Sequence, residues 1–173
     1  DLHGKEAALL FTSGFVSNDA SLSTLAKLIP NCVVFSDALN HASMIAAIRH
    51  SGSEKRIFRH NDLGHLTELL QGTEYRRPKV IAFESLYSMD GDIANLPEIS
   101  ALCKKYDALL MVDEAHAFGV IGKDGLGILD HFNMKPDTID ILVGTLSKSV
   151  GCSGGFVTGK KELINYLRLA SRP

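Results

Sequence analysis

The feature that most constrains this chain is the regular alternation of short apolar runs with amphipathic stretches. Most of the runs are apolar throughout, so as strands they would leave no polar face for water. Such strands need helices on both faces, which predicts an α/β fold with three α/β/α layers around a mainly parallel sheet. The predicted strands are Ala7 to Phe11, Cys32 to Ser36, Arg56 to Arg59, Lys79 to Phe83, Leu109 to Asp113, Ile139 to Gly144 and Phe156 to Thr158.

The stretches between these strands carry apolar residues at helical spacing. The first helix ends before Pro30, and its candidate caps are Ser17, Asn18 and Asp19. The region from Phe118 to Lys135 is punctuated by glycine and is predicted to be a loop. The other predicted helices are His41 to Ser51, Leu63 to Leu70, Pro97 to Tyr106 and Glu162 to Leu169.

Composition fits a single globular domain. The chain has 173 residues, of which 45% are hydrophobic, enough for one core. Its 18 basic and 20 acidic residues give a net charge of -2, so no surface for nucleic acid is predicted. No apolar run approaches the roughly 20 residues of a membrane span. Because the chain opens at Asp1 and stops at Arg172-Pro173, directly after a helical pattern, we expect residues 1–173 to be one domain of a longer protein.

The three cysteines, Cys32, Cys103 and Cys152, are scattered singly beside apolar runs. This pattern predicts reduced core residues and not a disulfide framework or a zinc site. We therefore expect a reducing compartment, which is the cytoplasm, or the mitochondrial matrix in a eukaryote.

Two of the predicted strands lead into charged side chains. Asp113 ends one strand, and Lys148 follows another after the small residues Gly144, Thr145 and Ser147. The carboxyl ends of parallel strands are where open α/β sheets bind ligands. An apolar surrounding would push the amine of Lys148 toward its neutral form, which can form a Schiff base. The alternative is a lysine at a strand end that extends into water.

Three other motifs are weaker. The letters DEAH at 113–116 also occur in helicases, but the nearest match to a P-loop, Gly154 to Lys161, has Lys161 in place of the hydroxyl residue and follows the DEAH segment. Gly151 to Gly155 matches G-x-S-x-G, yet no Asp or His follows Ser153, so a glycine-rich turn is predicted. None of the seven histidines lies in a recognisable ligand cluster, and no metal site is predicted.

A carboxylate and an amine at one sheet edge are what pyridoxal phosphate chemistry requires. The lysine forms the Schiff base, and the acid keeps the pyridine nitrogen protonated. The phosphate needs donors, and the backbone N-H groups of Ser13, Gly14 and Phe15 near the start of the first helix are candidates. Thr145 adds a hydroxyl from the other side.

Five ordered motifs, TSGFVSND, SDALNHASM, FESLYSMDGDIA, VDEAHAFG and GTLSKSVG, resemble those of the α-oxoamine synthases. This family comprises fold type I pyridoxal phosphate enzymes, and the resemblance extends over nearly the whole chain. It implies that residues 1–173 form the large, cofactor-binding domain. The amino-terminal arm and the small domain of such enzymes would lie outside the sequence.

The resemblance also implies roles for single residues. Lys148 would hold the cofactor and Asp113 would bind its pyridine nitrogen. His116 would hydrogen-bond its phenolic oxygen, and His41 would stack on its ring. The remaining implied cofactor-binding residues are Gly14, Phe15, Ser88 and Thr145. For His41 and Ser88 an ordinary cap at a junction between loop and helix remains an alternative.

The reaction implied by the resemblance condenses an amino acid with an acyl thioester, usually with loss of carbon dioxide, to give an α-aminoketone. Lys148 would serve as both anchor and base. The segments RHNDLGHL and RPKVIAFESLYSMDGDIA are most similar to members that join glycine to succinyl-CoA. Ser147 before Lys148, Phe156 after the glycines and the terminal LASRP are more similar to members that use serine with palmitoyl-CoA or that ligate aminoketobutyrate. An acyl donor carried by an acyl carrier protein remains an alternative to acyl-CoA.

Two rival classes also remain open. One is another fold type I enzyme such as an aminotransferase, and the other is a non-catalytic subunit, against which the presence of Lys148 argues. The resemblance further implies a homodimer, because family members complete the site with residues of a second subunit.

Overall fold

The computed structural model describes residues 2–171; Asp1 and the last two residues of the LASRP segment, Arg172 and Pro173, lie outside it. Strands and helices alternate along most of the chain, as predicted. The strands are β1 (Ala7–Phe11), β2 (Val33–Asp37), β3 (Glu54–Phe58), β4 (Lys79–Glu84), β5 (Ala108–Asp113), β6 (Ile141–Thr145) and β7 (Gly155–Gly159). The helices are α1 (Gly14–Leu28), α2 (Ala42–Ser51), α3 (Leu63–Gln71), α4 (Leu96–Tyr106), α5 (Ile128–His131) and α6 (Lys161–Ala170), with a 3-10 turn at Pro136–Thr138.

All seven strands form one sheet, in the order β1, β7, β6, β5, β4, β2, β3. The five strands β6, β5, β4, β2 and β3 are parallel to one another. β7 runs antiparallel to both β6 and β1. The prediction of a mainly parallel sheet is therefore confirmed, and the carboxyl ends of β2, β4, β5 and β6 meet at one edge.

Successive residues of the central strands point to opposite faces of the sheet. Both faces are therefore apolar, and helices cover each of them. On β5, Leu110 and Val112 join the core that contains α3, α4 and α5, whereas Met111 joins the core that contains α1, α2 and α6. β2, β4, β6 and β7 are buried along their whole length. This confirms the three-layer α/β/α prediction.

Two local predictions were wrong. α1 begins at Gly14, and its cap is Ser13, whose hydroxyl accepts a hydrogen bond from the N-H of Val16 at 3.1 Å; Ser17 and Asn18, proposed as caps, are buried inside the helix. The region predicted as loop from Phe118 to Lys135 contains the short helix α5.

Two of the three cysteines are buried as predicted, but Cys152 is exposed, so its assignment to the core was wrong. The segment from Gly151 to Gly155 is a bend that leads into β7, as predicted for a glycine-rich turn. Between residues 2 and 171, the structure contains no helix with both the length and the apolar character needed to cross a bilayer.

Candidate active site

A cavity of about 220 Å³ lies at the edge where β5 and β6 end. Helix α1 approaches it from one side and the start of α2 from another, so four elements supply its walls. The lining residues are Ser13, Gly14, Phe15, Asn18, His41, Ser43, Asp113, Ala115, His116, Thr145, Ser147 and Lys148.

The cavity brings together most of the predicted site residues. Gly14, Phe15, His41, Asp113, His116, Thr145 and Lys148 all line it. Ser88 does not; it is exposed in the turn after β4. Asp113 and Lys148, the two residues that the strand ends predicted to meet, thus line one cavity, together with residues of α1 and α2 that are distant from them in the sequence.

The first turn of α1 is held close to the end of β6. A Cβ atom on Gly14 would lie 2.8 Å from Cβ of Thr145 and 2.9 Å from its Oγ1, so only glycine permits this approach. The N-H groups of Gly14 and Phe15 belong to the first helical turn and have no carbonyl four residues back within the helix. Together with the hydroxyl of Thr145, they form a cradle that suits a phosphate.

Asp113 is a buried carboxylate with two hydrogen-bond donors. The side-chain amide of Asn18 donates to Oδ2 at 2.6 Å, and the backbone N-H of Ala115 donates to Oδ1 at 2.8 Å. The same amide of Asn18 donates to Ser43 at 3.0 Å, which ties α1 and α2 to the end of β5. Donors of this kind stabilise the ionised carboxylate, so Asp113 can keep a ring nitrogen protonated.

His41 is the N-cap residue of α2. Its Nδ1 accepts a hydrogen bond from the N-H of Ser43 at 3.2 Å, and the ring meets Phe15 edge-on at 6.5 Å between centroids. The alternative of a capping residue is therefore confirmed for His41. The same ring also lines the cavity, so the cap fixes its orientation there.

His116 follows β5 and is partly buried against Glu84, the last residue of β4. Nδ1 of His116 lies 3.3 Å from Oε2 of Glu84. Burial lowers the pKa of His116, the charges of Lys148 and His41 lower it further, and Asp113 opposes them. Burial, followed by the neighbouring charge of Asp113, raises the pKa of Glu84 to about 7.

Lys148 lies in the turn after β6 and is exposed. Of the two alternatives for this residue, the structure therefore supports the lysine at a strand end that extends into water and not the apolar surrounding, because the chain turns away from the core after Thr145. The turn is held by the hydroxyl of Thr145, which contacts the hydroxyl of Ser147 at 2.9 Å and donates to the carbonyl of Gly154 at 3.2 Å. These contacts keep Lys148 beside the cavity.

Sequence reasoning missed three polar groups that shape the site: Asn18, Ser43 and Glu84. The sequence pattern predicts that Asn18 is a helix cap, whereas its partner in the structure is Asp113, 95 residues away. Glu84 offered a usable signal, because it is a charged residue that directly follows the apolar strand Lys79 to Phe83.

A larger depression of about 520 Å³ lies at the opposite, amino-terminal edge of the sheet, lined by Pro30, Asn31, Glu74, Arg76, Arg77 and Pro78. None of these six residues is buried, so the depression lacks the desolvated polar groups of a catalytic site. Within residues 2–171, no three or more His, Cys, Asp or Glu side chains are grouped as metal ligands.

The chain matches the family model described as aminotransferase class I and II over residues 1–173. It is 55% identical over 168 residues to a 5-aminolevulinate synthase of Bradyrhizobium diazoefficiens, covering 97% of this chain and 41% of that protein. The mitochondrial non-specific 5-aminolevulinate synthase of Bos taurus is 51% identical over 168 residues, covering 97% of this chain and 26% of that protein.

Solved structures give the same picture. A serine palmitoyltransferase variant from S. paucimobilis with a bound PLP-myriocin aldimine superposes with a TM-score of 0.94 at 38% identity, covering all of this chain and 43% of that one. An 8-amino-7-oxononanoate synthase from Francisella tularensis superposes with a TM-score of 0.83 at 30% identity, covering 97% of this chain and 47% of that one. The chain thus spans less than half the length of these relatives.

Proposed function

The chain belongs to the aminotransferase class I and II family, and we propose that it is the cofactor-binding large domain of a pyridoxal phosphate-dependent α-oxoamine synthase. The observation that carries this proposal is the single cavity lined by Lys148, Asp113, His116 and the glycine-containing start of α1. An amine, a hydrogen-bonded carboxylate and a phosphate cradle are the three things that this cofactor needs from a protein.

The residues present fit the cofactor. Lys148 would hold it covalently, Asp113 would face its ring nitrogen, and His41 and His116 would contact its ring. Gly14, Phe15 and Thr145 would bind its phosphate, and the close approach of Gly14 to Thr145 leaves the helix N-H groups accessible. When bound, the cofactor supplies an electron sink for a carbanion at the α-carbon of an amino acid.

Different residues of the chain would bind the cofactor and move the proton. Asn18 and Ala115 donate hydrogen bonds to the carboxylate of Asp113, and Asp113 would in turn hold a proton on the ring nitrogen of the cofactor. With the cofactor bound, Lys148 would serve as the base that takes the α-proton at Nζ, because its side chain lines the same cavity. Ser88 is exposed in the turn after β4 and does not line this cavity.

The substrates we propose are glycine and succinyl-CoA, as in 5-aminolevulinate synthases. Relatives with that name are 50% to 55% identical to this chain, whereas the serine palmitoyltransferase structure is 38% identical. Ser147 before Lys148 favours a second candidate, which is the condensation of serine with palmitoyl-CoA. Two further alternatives within the α-oxoamine synthases are an aminoketobutyrate ligase and a synthase of lipid or secondary metabolism that takes its acyl group from an acyl carrier protein.

The test uses the full-length protein with added pyridoxal phosphate. We expect the visible absorbance of lysine-bound cofactor, its loss in Lys148→Ala, and its retention in the exposed control Lys123→Ala. Glycine, serine and alanine are then combined with short and long acyl-CoAs, and free thiol and carbon dioxide are measured. Amino-group transfer without thiol release would contradict the proposal in favour of an aminotransferase.

We further propose a homodimer in a reducing compartment, either the cytoplasm or the mitochondrial matrix. The free thiols of Cys32, Cys103 and Cys152 support the compartment, and the implied sharing of the site between subunits supports the dimer. Sedimentation of the full-length protein as a monomer would contradict the dimer, and fractionation of cells tests the compartment.

A further inference from the structure

Two buried carboxyl groups lie next to each other at the carboxyl edge of the sheet. Glu84 ends β4 and Asp113 ends β5, and they are paired in the register of the two strands. Each residue is only 3% exposed. Two carboxylates in such a poorly solvated place are costly to ionise together, so one of them tends to keep a proton.

The hydrogen bonds decide which of the two carboxyl groups keeps the proton. Asp113 receives two donors, from Asn18 and Ala115, that stabilise its ionised form. Burial and the charge of Asp113 raise the pKa of Glu84 to about 7, and the backbone N-H of His41 only partly offsets this. The groups that face Glu84 are Asp113, Asp37, Lys148, Tyr87, His116 and the backbone of His41.

His116 needs a partner on the side that faces Glu84. Among the side chains described in residues 2–171, Nδ1 of His116 is one of the buried atoms that make no hydrogen bond. It lies 3.3 Å from Oε2 of Glu84, just beyond the usual range for a hydrogen bond, so a small rotation of the carboxyl group completes one. The ring of His116 also lines the cavity, which leaves Nε2 for a ligand.

We propose that Glu84 is a positioning residue whose carboxyl group holds a proton and donates it in a hydrogen bond to Nδ1 of His116, so that Nε2 carries the ring hydrogen and donates to the ligand. The inference deepens the proposed function, on which it rests for the identity of the ligand atom, the phenolic oxygen of the cofactor. A neutral imidazole carries one hydrogen, so a donor at Nδ1 fixes that hydrogen at Nε2.

The arrangement makes His116 a pH-dependent contact. When Glu84 loses its proton to solvent, the carboxylate accepts a hydrogen bond from Nδ1, and the single ring hydrogen moves from Nε2 to Nδ1. Nε2 then presents a lone pair to the cavity and repels an anionic oxygen. No other atom is gained or lost, and the ring remains neutral in both states.

The first measurement is nitrogen NMR of the histidine side chains in the full-length, cofactor-free protein, with His116→Gln used to assign the signals of His116. In the wild type, we expect Nε2 to be the protonated nitrogen at about pH 6. The ratio of the tautomer protonated at Nε2 to the tautomer protonated at Nδ1 should fall about tenfold for each pH unit above 7, as the single ionisation of Glu84 requires. A ring with Nδ1 protonated at pH 6, or a ratio that does not change between pH 6 and pH 9, would overturn the proposal.

Glu84→Gln provides the matched variant, because its side-chain amide can donate to Nδ1 and cannot ionise. It should keep hydrogen on Nε2 at every pH, whereas the exposed control Glu68→Gln should titrate as the wild type does. A Glu84→Gln protein whose His116 still titrates near pH 7 would refute the assignment. If the variant does not fold, the wild-type titration still decides.

A second measurement separates this inference from the proposed function. With pyridoxal phosphate added, the absorbance of the wild type should change with pH near 7, and this change should be lost in Glu84→Gln. Absence of cofactor absorbance at any pH would defeat the proposed function alone, since the tautomer of His116 is measured without cofactor. Equal pH profiles in wild type and variant, with cofactor bound, would defeat the role of Glu84 alone.

Discussion

The hydrogen bond between Asn18 and Asp113 is the contact through which the fold holds the charge at the centre of the site. Asn18 is 2% exposed, and its amide donates to Asp113 at 2.6 Å and to Ser43 at 3.0 Å. We consider Asn18→Ala and Asp113→Ala, separately and combined, in the full-length protein without cofactor. The combination isolates the contact between the two residues from everything else that each substitution removes.

The expected magnitude follows from the chemistry of the partners. A hydrogen bond to a charged group contributes about 1.5–3 kcal/mol, and a neutral one about 0.5–1.5 kcal/mol. Asn18→Ala loses one of each, but it also removes Oδ1 of Asn18, a buried atom without a hydrogen-bond partner among the described residues. The single variant therefore mixes opposing effects, whereas the coupling free energy of the pair should be about 1.5–3 kcal/mol.

Urea unfolding of the four proteins at neutral pH measures this coupling. Asp62→Ala serves as the control, because it removes the cap of α3, whose side chain accepts a hydrogen bond from the N-H of His65 at 2.8 Å. Its loss should destabilise α3, and its effect on the free energy of unfolding should add to that of Asp113→Ala within about 0.5 kcal/mol. A coupling for Asn18 and Asp113 no larger than that of the control pair would refute the argument that this bond stabilises the carboxylate.

Other perturbations test the phosphate cradle, the pH dependence of stability and the packing beneath the site. Gly14→Ala would force α1 away from β6 at a cost of about 1–3 kcal/mol, so the Kd for pyridoxal phosphate should rise about 5- to 150-fold in a fluorescence titration. The control Gly64→Ala on α3 should leave this Kd unchanged, and equal Kd values for the two variants would contradict the phosphate cradle. Burial raises the pKa of Glu114 to about 8, whereas an unfolded glutamate ionises near pH 4.3. Stability should therefore fall as pH rises between these values, by on the order of 5 kcal/mol. Glu114→Gln should flatten this fall in urea unfolding at a series of pH values, and an unchanged slope would contradict the argument. Gly144→Ala would place a Cβ atom 2.4 Å from Cζ of Phe156 and should lower the free energy of unfolding by about 1–3 kcal/mol. Adding Phe156→Leu to the same chain should recover part of this free energy. If it does not, the contact with Phe156 is not the cause of the destabilisation.

The sheet could be predicted well because its strands are unusual in sequence. The predicted range of β1 is the observed one, and that of β5 differs by one residue, since in both cases an apolar run is bounded by polar or turn-forming residues. α1 was placed too late because Ser13 and Gly14 resemble a turn. Gly14 is present for a long-range reason, its close approach to Thr145, which no local pattern records.

The site residues that could be predicted are those that stand at the end of a strand. Asp113 and Thr145 end strands, and their meeting at one cavity follows from parallel topology. Asn18 was not predictable in its true role, because its partner is distant in the sequence. The exposure of Lys148 was missed because the apolar character of β6 does not extend into the turn that follows it.

The antiparallel strand β7 also determines when this site can form during synthesis. β1 is made early, but its partner residues, such as Gly159 opposite Ala7, emerge 152 positions later (159 minus 7). A Cβ atom on Gly155 would lie 2.4 Å from the carbonyl oxygen of Ser13, so β7 packs directly beneath the first turn of α1. On the ribosome, the end of the cavity beside the start of α1 must therefore remain unfinished until β7 has been translated, and the nascent chain carries an unpaired first strand up to that moment.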